Sequence, residues 1–183
     1  MKLNEVLEIA IMYLNLSDEL KVTGENRTPL SNRKLKILIR CANVIYGEIA
    51  SDYMHLLAKD TLVVIDNKVS YQSFNNRVID IVGVEKNGER VNFTIYPNYL
   101  EVDAAGEVDI KYNYLPVDLG LDDEIAYGIN LAPTTFASGI AGEYSLVNNL
   151  YEEAVAFERK FKEGIRSNLS IKKSKYVKER RWV

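Results

Sequence analysis

Sulfur and imidazole side chains are nearly missing from this sequence. Its 183 residues include one cysteine, Cys41, and one histidine, His55. One cysteine forms no intramolecular disulfide, and a structural zinc site needs more thiolate and imidazole ligands than one of each. We therefore expect no disulfide framework, no metal centre of this kind and no cofactor, and we assign structural roles to both residues.

Long apolar runs and nucleotide-binding loops are also missing. No stretch approaches the ~20 apolar residues of a membrane span, and the opening residues interrupt their apolar positions with Asn4, Glu5 and Glu8, unlike a signal peptide. No Gly-rich loop leads into Lys and Ser or Thr, and nothing around Ser51 or Cys41 forms a nucleophile elbow. These absences predict a protein that is not an enzyme, does not bind membranes and is made in the cytoplasm.

The charge is distributed unevenly along the chain. Residues 172–183 hold six basic side chains and one acidic one, and the formal net charge of the protein is −3, so residues 1–171 carry −8. An acidic body repels nucleic acid phosphates, which argues against ordinary DNA binding by the folded part. A surface past which DNA slides is compatible with that repulsion.

Apolar residues at helical spacing predict helices near the amino terminus. A short helix ends near Leu16, and a longer one begins near Ser31 and continues to Leu57. Both Cys41 and His55 lie on the longer helix in this prediction. Between 59 and 116 the pattern alternates every second residue, and short connectors with turn residues, including an Asn-Gly pair, predict about six strands in antiparallel hairpins, one of them over 90–96.

Helical spacing returns after Pro116. A first helical piece is expected over 124–132, with Asp122 and Asp123 at its start and Pro133 breaking it. A weaker piece follows over 134–146, where glycines allow a bend or the close approach of another backbone. A firmer helix begins at Val147, places Val147 and Leu150 on its buried apolar face, and ends at 167–168.

This layout predicts an α+β fold: a helical bundle built from N- and C-terminal helices, an inserted antiparallel β module and an extended carboxyl-terminal tail. The expected boundaries are 1–58 for the amino-terminal helices, 59–116 for the β module, 117–169 for the carboxyl-terminal helices and 170–183 for the tail. The strands then form a second body beside the bundle.

The tail differs from an ordinary solvated end because it combines charge with Tyr176, Val177, Trp182 and Val183. Aromatic anchors and arginines are enriched at binding sites, so the segment is predicted to fold onto a partner. Two alternatives remain open. The segment is a solvated end, or it binds nucleic acid through stacking and phosphate contacts.

The arrangement resembles the head-to-tail adaptor, or connector, proteins of tailed bacteriophages, especially the tail-tubular adaptors of short-tailed phages. The resemblance rests on 27–57, which lead straight into the strands, and on 115–165, which lead into the "RRW" of 180–182. It spans most of the chain but consists of patterns of residue type. The β module is larger than in the helical adaptors of long-tailed phages.

The resemblance implies a structural virion protein. Its copies form a ring, commonly a dodecamer, beneath the portal at the head-tail interface of the virion, and the ring extends the channel through which DNA passes without sequence-specific binding. The expected partners are further copies of the chain, the portal protein and a downstream tail or nozzle protein. The residues expected to dock on the portal are Lys172, Lys173, Lys175, Tyr176, Val177, Lys178, Arg180, Arg181, Trp182 and Val183.

Overall fold

The computed structural model describes residues 1–22, 28–127 and 131–171. The helices in these ranges are α1 (Leu3–Tyr13), α2 (Pro29–Glu48), α3 (Pro133–Val147) and α4 (Tyr151–Ile171). The strands are β1 (Leu56–Val64), β2 (Lys68–Ser70), β3 (Arg77–Lys86), β4 (Glu89–Val91), β5 (Phe93–Ile95), β6 (Tyr99–Val102) and β7 (Gly106–Leu115). Helices together with antiparallel sheets confirm the predicted α+β class.

The chain divides into two compact units. Met1–Ile45 and Leu119–Val183 make one, called here the helical unit, and Tyr46–Asp118 make the other, called here the β unit. Segments from both ends of the sequence therefore contribute to the helical unit.

The helical unit is built around α3. Every residue from Thr135 to Gly142 is buried, as expected for a helix with neighbours on all sides. A Cβ added at Gly139 would lie 2.8 Å from Cγ2 of Ile45 in α2. At Gly142 a Cβ would lie 3.5 Å from the backbone oxygen of Ala154 in α4, which confirms the predicted close approach of another backbone.

Residues 121–125 form hydrogen bonds with the chain at the start of α1. The first backbone N–H groups of a helix have no partner inside it. Leu3 N donates to Asp123 O at 3.1 Å, and Asn4 N donates to Leu121 O at 3.0 Å. The helical piece expected over 124–132 is wrong for its described residues, which are not helical. Within this range Ile125 N donates to Met1 O at 3.0 Å, so its N–H bonds to the start of the chain and not to a helical ladder. Pro133 begins α3 rather than breaking a helix, since proline needs no hydrogen-bond partner at the first helical position.

The long amino-terminal helix ends earlier than its apolar spacing predicts. α2 stops at Glu48, a π-helical turn covers Ile49–Tyr53, and β1 already begins at Leu56. Leu56 and Leu57 pair with residues of β7, so long-range strand pairing prevails over the local helical pattern. The placement of His55 on the helix is wrong, because it lies in the connection, where Nδ1 is 3.0 Å from Ala50 O.

The β unit contains two antiparallel sheets. One has the order β1-β7-β3-β4, and the other has the order β2-β6-β5. Their buried side chains form a single apolar cluster that includes Phe74, Leu100, Ile110 and Tyr112. The predicted Asn-Gly turn joins β3 and β4, where Asn87 and Gly88 both have positive φ.

Two details of the strand prediction are wrong. The expected single strand over 90–96 is divided at Asn92 into β4 and β5, which belong to different sheets. β6 and β7 follow one another in the chain but do not form a hairpin. β6 pairs with β2 and β5, whereas β7 pairs with β1 and β3 in the other sheet.

Candidate interaction surface

The predicted docking residues, 172–183, lie outside the described residues, so their role stays a prediction. α4 extends to Ile171 and therefore leads directly into them. The described part of the chain adds a second candidate, at the opposite end of the same helix.

The turn between α3 and α4 is fixed by backbone geometry. Leu150 N donates to Ser145 O at 2.9 Å, and Asn149 N donates to Leu146 O at 3.1 Å, the pair of bonds that defines a Schellman motif. Such a motif needs a left-handed residue after the cap, and Asn149 has φ 62°. The expected start of the last helix at Val147 is wrong for this reason, since Val147 ends α3.

This turn places five large apolar or aromatic side chains in solvent. The set, called here the turn surface, is Leu146, Val147, Leu150, Tyr151 and Val155. Their exposed fractions range from 45% to 65%. Single exposed apolar residues are common on proteins, but a large exposed apolar patch marks a binding site or an aggregation hazard, and these five residues fall within ten consecutive positions. The turn surface is therefore the candidate interaction site of the helical unit.

Sequence reasoning assigned Val147 and Leu150 to the buried face of one continuous helix. The signal that contradicts this is the Asn148-Asn149 pair, because asparagine tolerates the left-handed conformation that ends a helix. Glu152 and Glu153, in the first turn of α4, are a further sign of a new helix start.

The exposed face of α4 becomes charged beyond the turn surface. Arg159 Nε donates to Glu163 Oε1 at 3.0 Å, and Lys162 pairs with Glu158 one turn apart. Exposed pairs of this kind contribute little to stability, typically about 0.3–0.5 kcal/mol each. They keep this length of the helix hydrated, so the apolar character of α4 is confined to its first turns.

An aromatic contact holds α4 against α1. The rings of Tyr13 and Phe157 stack with centroids 6.0 Å apart. Lys160 Nζ lies 5.4 Å from the Phe157 centroid, within range of a cation–π interaction. The position of α4, and with it the turn surface, is thus fixed within the helical unit.

The β unit contains one buried carboxylate, and its partners fix its role. Asp60 accepts hydrogen bonds from the Tyr112 hydroxyl at 2.7 Å and from the backbone and side-chain nitrogens of Asn75, both at 2.9 Å. Burial raises the pKa of Asp60, but these hydrogen bonds outweigh it and hold the pKa below its ordinary value. An ionised, fully bonded carboxylate anchors the loop at Asn75 and is a poor proton donor or acceptor.

Cys41 lies buried in α2, and burial, helped by the charge of Glu143, raises the pKa of its thiol to about 12. A protonated, inaccessible thiol is unreactive. The described residues contain no group of three or more His, Cys, Asp or Glu side chains placed to hold a metal ion. None of the described helices is long and apolar enough to cross a bilayer.

No protein-family model matches the sequence, and no curated protein matches it. The resemblance to head-to-tail adaptors therefore stays a prediction.

Proposed function

We propose that the protein is a structural virion protein, a head-to-tail adaptor whose copies form a dodecameric ring beneath the portal of a tailed bacteriophage. The ring extends the DNA channel and gives the downstream tail or nozzle protein its attachment site. Residues 172–183 dock on the portal, and the turn surface packs against a neighbouring copy.

The observation that carries the proposal is the arrangement of α4. One end of this helix bears the turn surface, an apolar group that needs cover, and the other leads into the basic and aromatic residues 172–183. At ~1.5 Å rise per residue the 21-residue helix separates the two by roughly 30 Å. One helix therefore serves two different partners without competition between them.

The charge balance also supports a channel role. Residues 1–171 carry −8, and 46–118 alone hold twelve acidic and six basic side chains. Acidic surfaces repel the phosphate backbone, so DNA passes them without sticking. This favours a channel component over a protein that grips DNA through its folded part.

The ring is tested by native mass spectrometry and negative-stain microscopy of the full chain, alone and mixed with its portal. We expect rings of Val44→Glu and no rings of Val155→Glu. The two valines are matched, since both lie on helices of the helical unit and are 54% and 65% exposed, but only Val155 belongs to the turn surface. Equal loss of rings in both variants would contradict the assignment of the turn surface.

Docking is tested by deleting 172–183 and sedimenting the shortened chain with portal rings. The proposal expects loss of co-sedimentation. Undiminished co-sedimentation rejects the docking role. Affinity for DNA that depends on 172–183 and falls steeply with salt would instead support the nucleic-acid-binding alternative.

A further inference from the structure

The hairpin formed by β3 and β4 opens soon after its turn. Its pairs are Lys86 with Glu89, Glu85 with Arg90, and Val84 with Val91. Beyond Val91 the chain crosses at Asn92 into β5, which pairs with β6 and not with β3. In the described β unit, one side of Arg77–Gly83 and one side of β5 are therefore not paired with another strand.

A groove separates these two edges, with residues of β3 on one side and residues at the end of β5 on the other. Neighbouring strands lie about 4.8 Å apart, so two strands that flank an empty position lie about 10 Å apart. A strand inserted here would join both sheets into the continuous order β1-β7-β3-X-β5-β6-β2.

The backbone of β5 points its free hydrogen-bonding groups into this gap. Asp103 N donates to Asn92 O and Tyr96 N donates to Tyr99 O, both at 3.0 Å. In an antiparallel ladder the bonded pairs fall on alternate residues, so 92, 94 and 96 face β6. The N–H and C=O groups of Phe93 and Ile95 therefore face away from β6.

Exposed side chains line the same gap. A groove of about 400 Å³ is bordered by Tyr71, Ile79, Ile95, Tyr96 and Pro97. Ile79 is 38% exposed and Ile95 is 52% exposed. β-branched residues beside unpaired edges are the features that invite strand addition, and natural sheets normally cover them.

The edge of β3 discourages pairing with an identical edge. Its pairing with β7 shifts register between Val78 and Asp80 and again between Ile81 and Gly83, which marks two irregularities. Bulges twist an edge, and the charges of Arg77 and Asp80 protect it further. The gap between β3 and β5 therefore accommodates a single inserted strand more readily than it pairs with the edge of another sheet.

We propose that an extended segment of another protein, with alternating apolar and basic residues, binds between β3 and β5 as an added strand. Alternation follows from strand geometry, because one face of the added strand meets the groove and the other meets solvent. The basic preference follows from the formal charge of −6 of residues 46–118. Asp80 and Arg77 both line the groove, and Tyr96, which also lines it, donates a hydrogen bond to the carboxylate of Glu101, so carboxylates outnumber the one guanidinium there. The proposal does not depend on ring formation.

The test uses a synthetic (Lys-Val)₄ peptide as the probe and the full chain as the receptor. Binding is measured by fluorescence anisotropy, and protection of backbone amides by hydrogen exchange. We expect the probe to protect the amides of Phe93 and Ile95, and to bind at least tenfold more tightly than (Glu-Val)₄. Lack of binding at about 1 mM probe would overturn the proposal.

Two variants of one residue separate backbone pairing from simple apolar contact. Ile95→Pro removes the N–H that faces the gap but leaves the β6 pairs intact, and Ile95→Ala removes the side chain but keeps the N–H. Strand addition predicts that Ile95→Pro binds the probe at least tenfold more weakly than Ile95→Ala. Equal binding by the two variants rejects it. A chain shortened at 171 that binds the probe when the full chain does not would identify 172–183 as the occupant and overturn the assignment to another protein.

Discussion

Gly139 and Gly142 lie on the same buried helix, yet the surroundings predict opposite effects when each is changed to alanine. A Cβ at Gly139 would lie 2.8 Å from Cγ2 of Ile45 and 3.0 Å from Cδ2 of Phe161, distances that force a neighbour to move. At Gly142 the nearest atom would be Glu158 N at 3.4 Å, an ordinary contact. The pair forms a matched test of how tightly α3 is enclosed.

The magnitudes follow from two opposing terms. Alanine is favoured over glycine inside a helix by about 0.8–1.0 kcal/mol, and this gain applies at both sites. Overpacking a well-packed core costs about 1–3 kcal/mol, and this cost applies only at Gly139. We expect Gly142→Ala to stabilise the helical unit by about 0.5–1 kcal/mol and Gly139→Ala to destabilise it by about 1 kcal/mol. The difference, about 2 kcal/mol, is roughly 30-fold in the unfolding equilibrium.

Urea unfolding measures both variants, with circular dichroism of the helices as one readout. Modification of Cys41 by a thiol reagent is the second, because this residue is buried in the helical unit and reports its opening. A Gly139→Ala variant as stable as Gly142→Ala would refute the packing described around α3.

Three further predictions concern single buried groups. The pKa of about 12 at Cys41 predicts that at pH 8 the folded protein reacts with a thiol reagent about a thousandfold more slowly than the urea-unfolded chain, whose thiol has a pKa of about 8.5. Because the pKa of Asp60 is lowered in the folded state, its ionised carboxylate stabilises the β unit fully above the unfolded pKa of about 3.9, and this stabilisation is lost as the pH falls through the folded pKa. The Asp60→Asn variant should therefore lose less unfolding free energy than the unchanged protein between about pH 5 and pH 2. The Ser145 hydroxyl is buried without a hydrogen-bond partner among the described residues, so Ser145→Ala should raise the unfolding free energy by about 1 kcal/mol, whereas Ser138→Ala, whose hydroxyl donates to a backbone carbonyl, should not.

The secondary structure that depends on local pattern was predictable, and the rest depended on distant partners. Alternating β-branched residues and the Asn-Gly turn at 87–88 predicted the β3–β4 hairpin, because both effects act within a few residues. Leu56 and Leu57 have helical spacing to the residues before them, but pairing with β7 places them in a strand. The division of strands between two sheets at Asn92 has no local signal.

The candidate surfaces show the same limit. The role of 172–183 was predicted from charge and aromatic content and lies outside the described residues. The turn surface was missed because Val147 and Leu150 continue the helical spacing of the residues around them, while the backbone at Asn149 interrupts it. The gap between β3 and β5 arises from sheet topology, which periodicity alone does not encode.

The side chain of Asn43 joins two points that are far apart in sequence. Its Oδ1 accepts from Leu119 N at 2.7 Å, and its Nδ2 donates to Leu119 O at 3.2 Å. The chain leaves the helical unit shortly after Asn43 and returns at Leu119. The two hydrogen bonds therefore link the point where the chain leaves this unit to the point where it returns. This link lets evolution or an engineer exchange the intervening strands for a different insert while the helices keep their own architecture. The helical unit and the β unit are then free to diverge, each under its own selection.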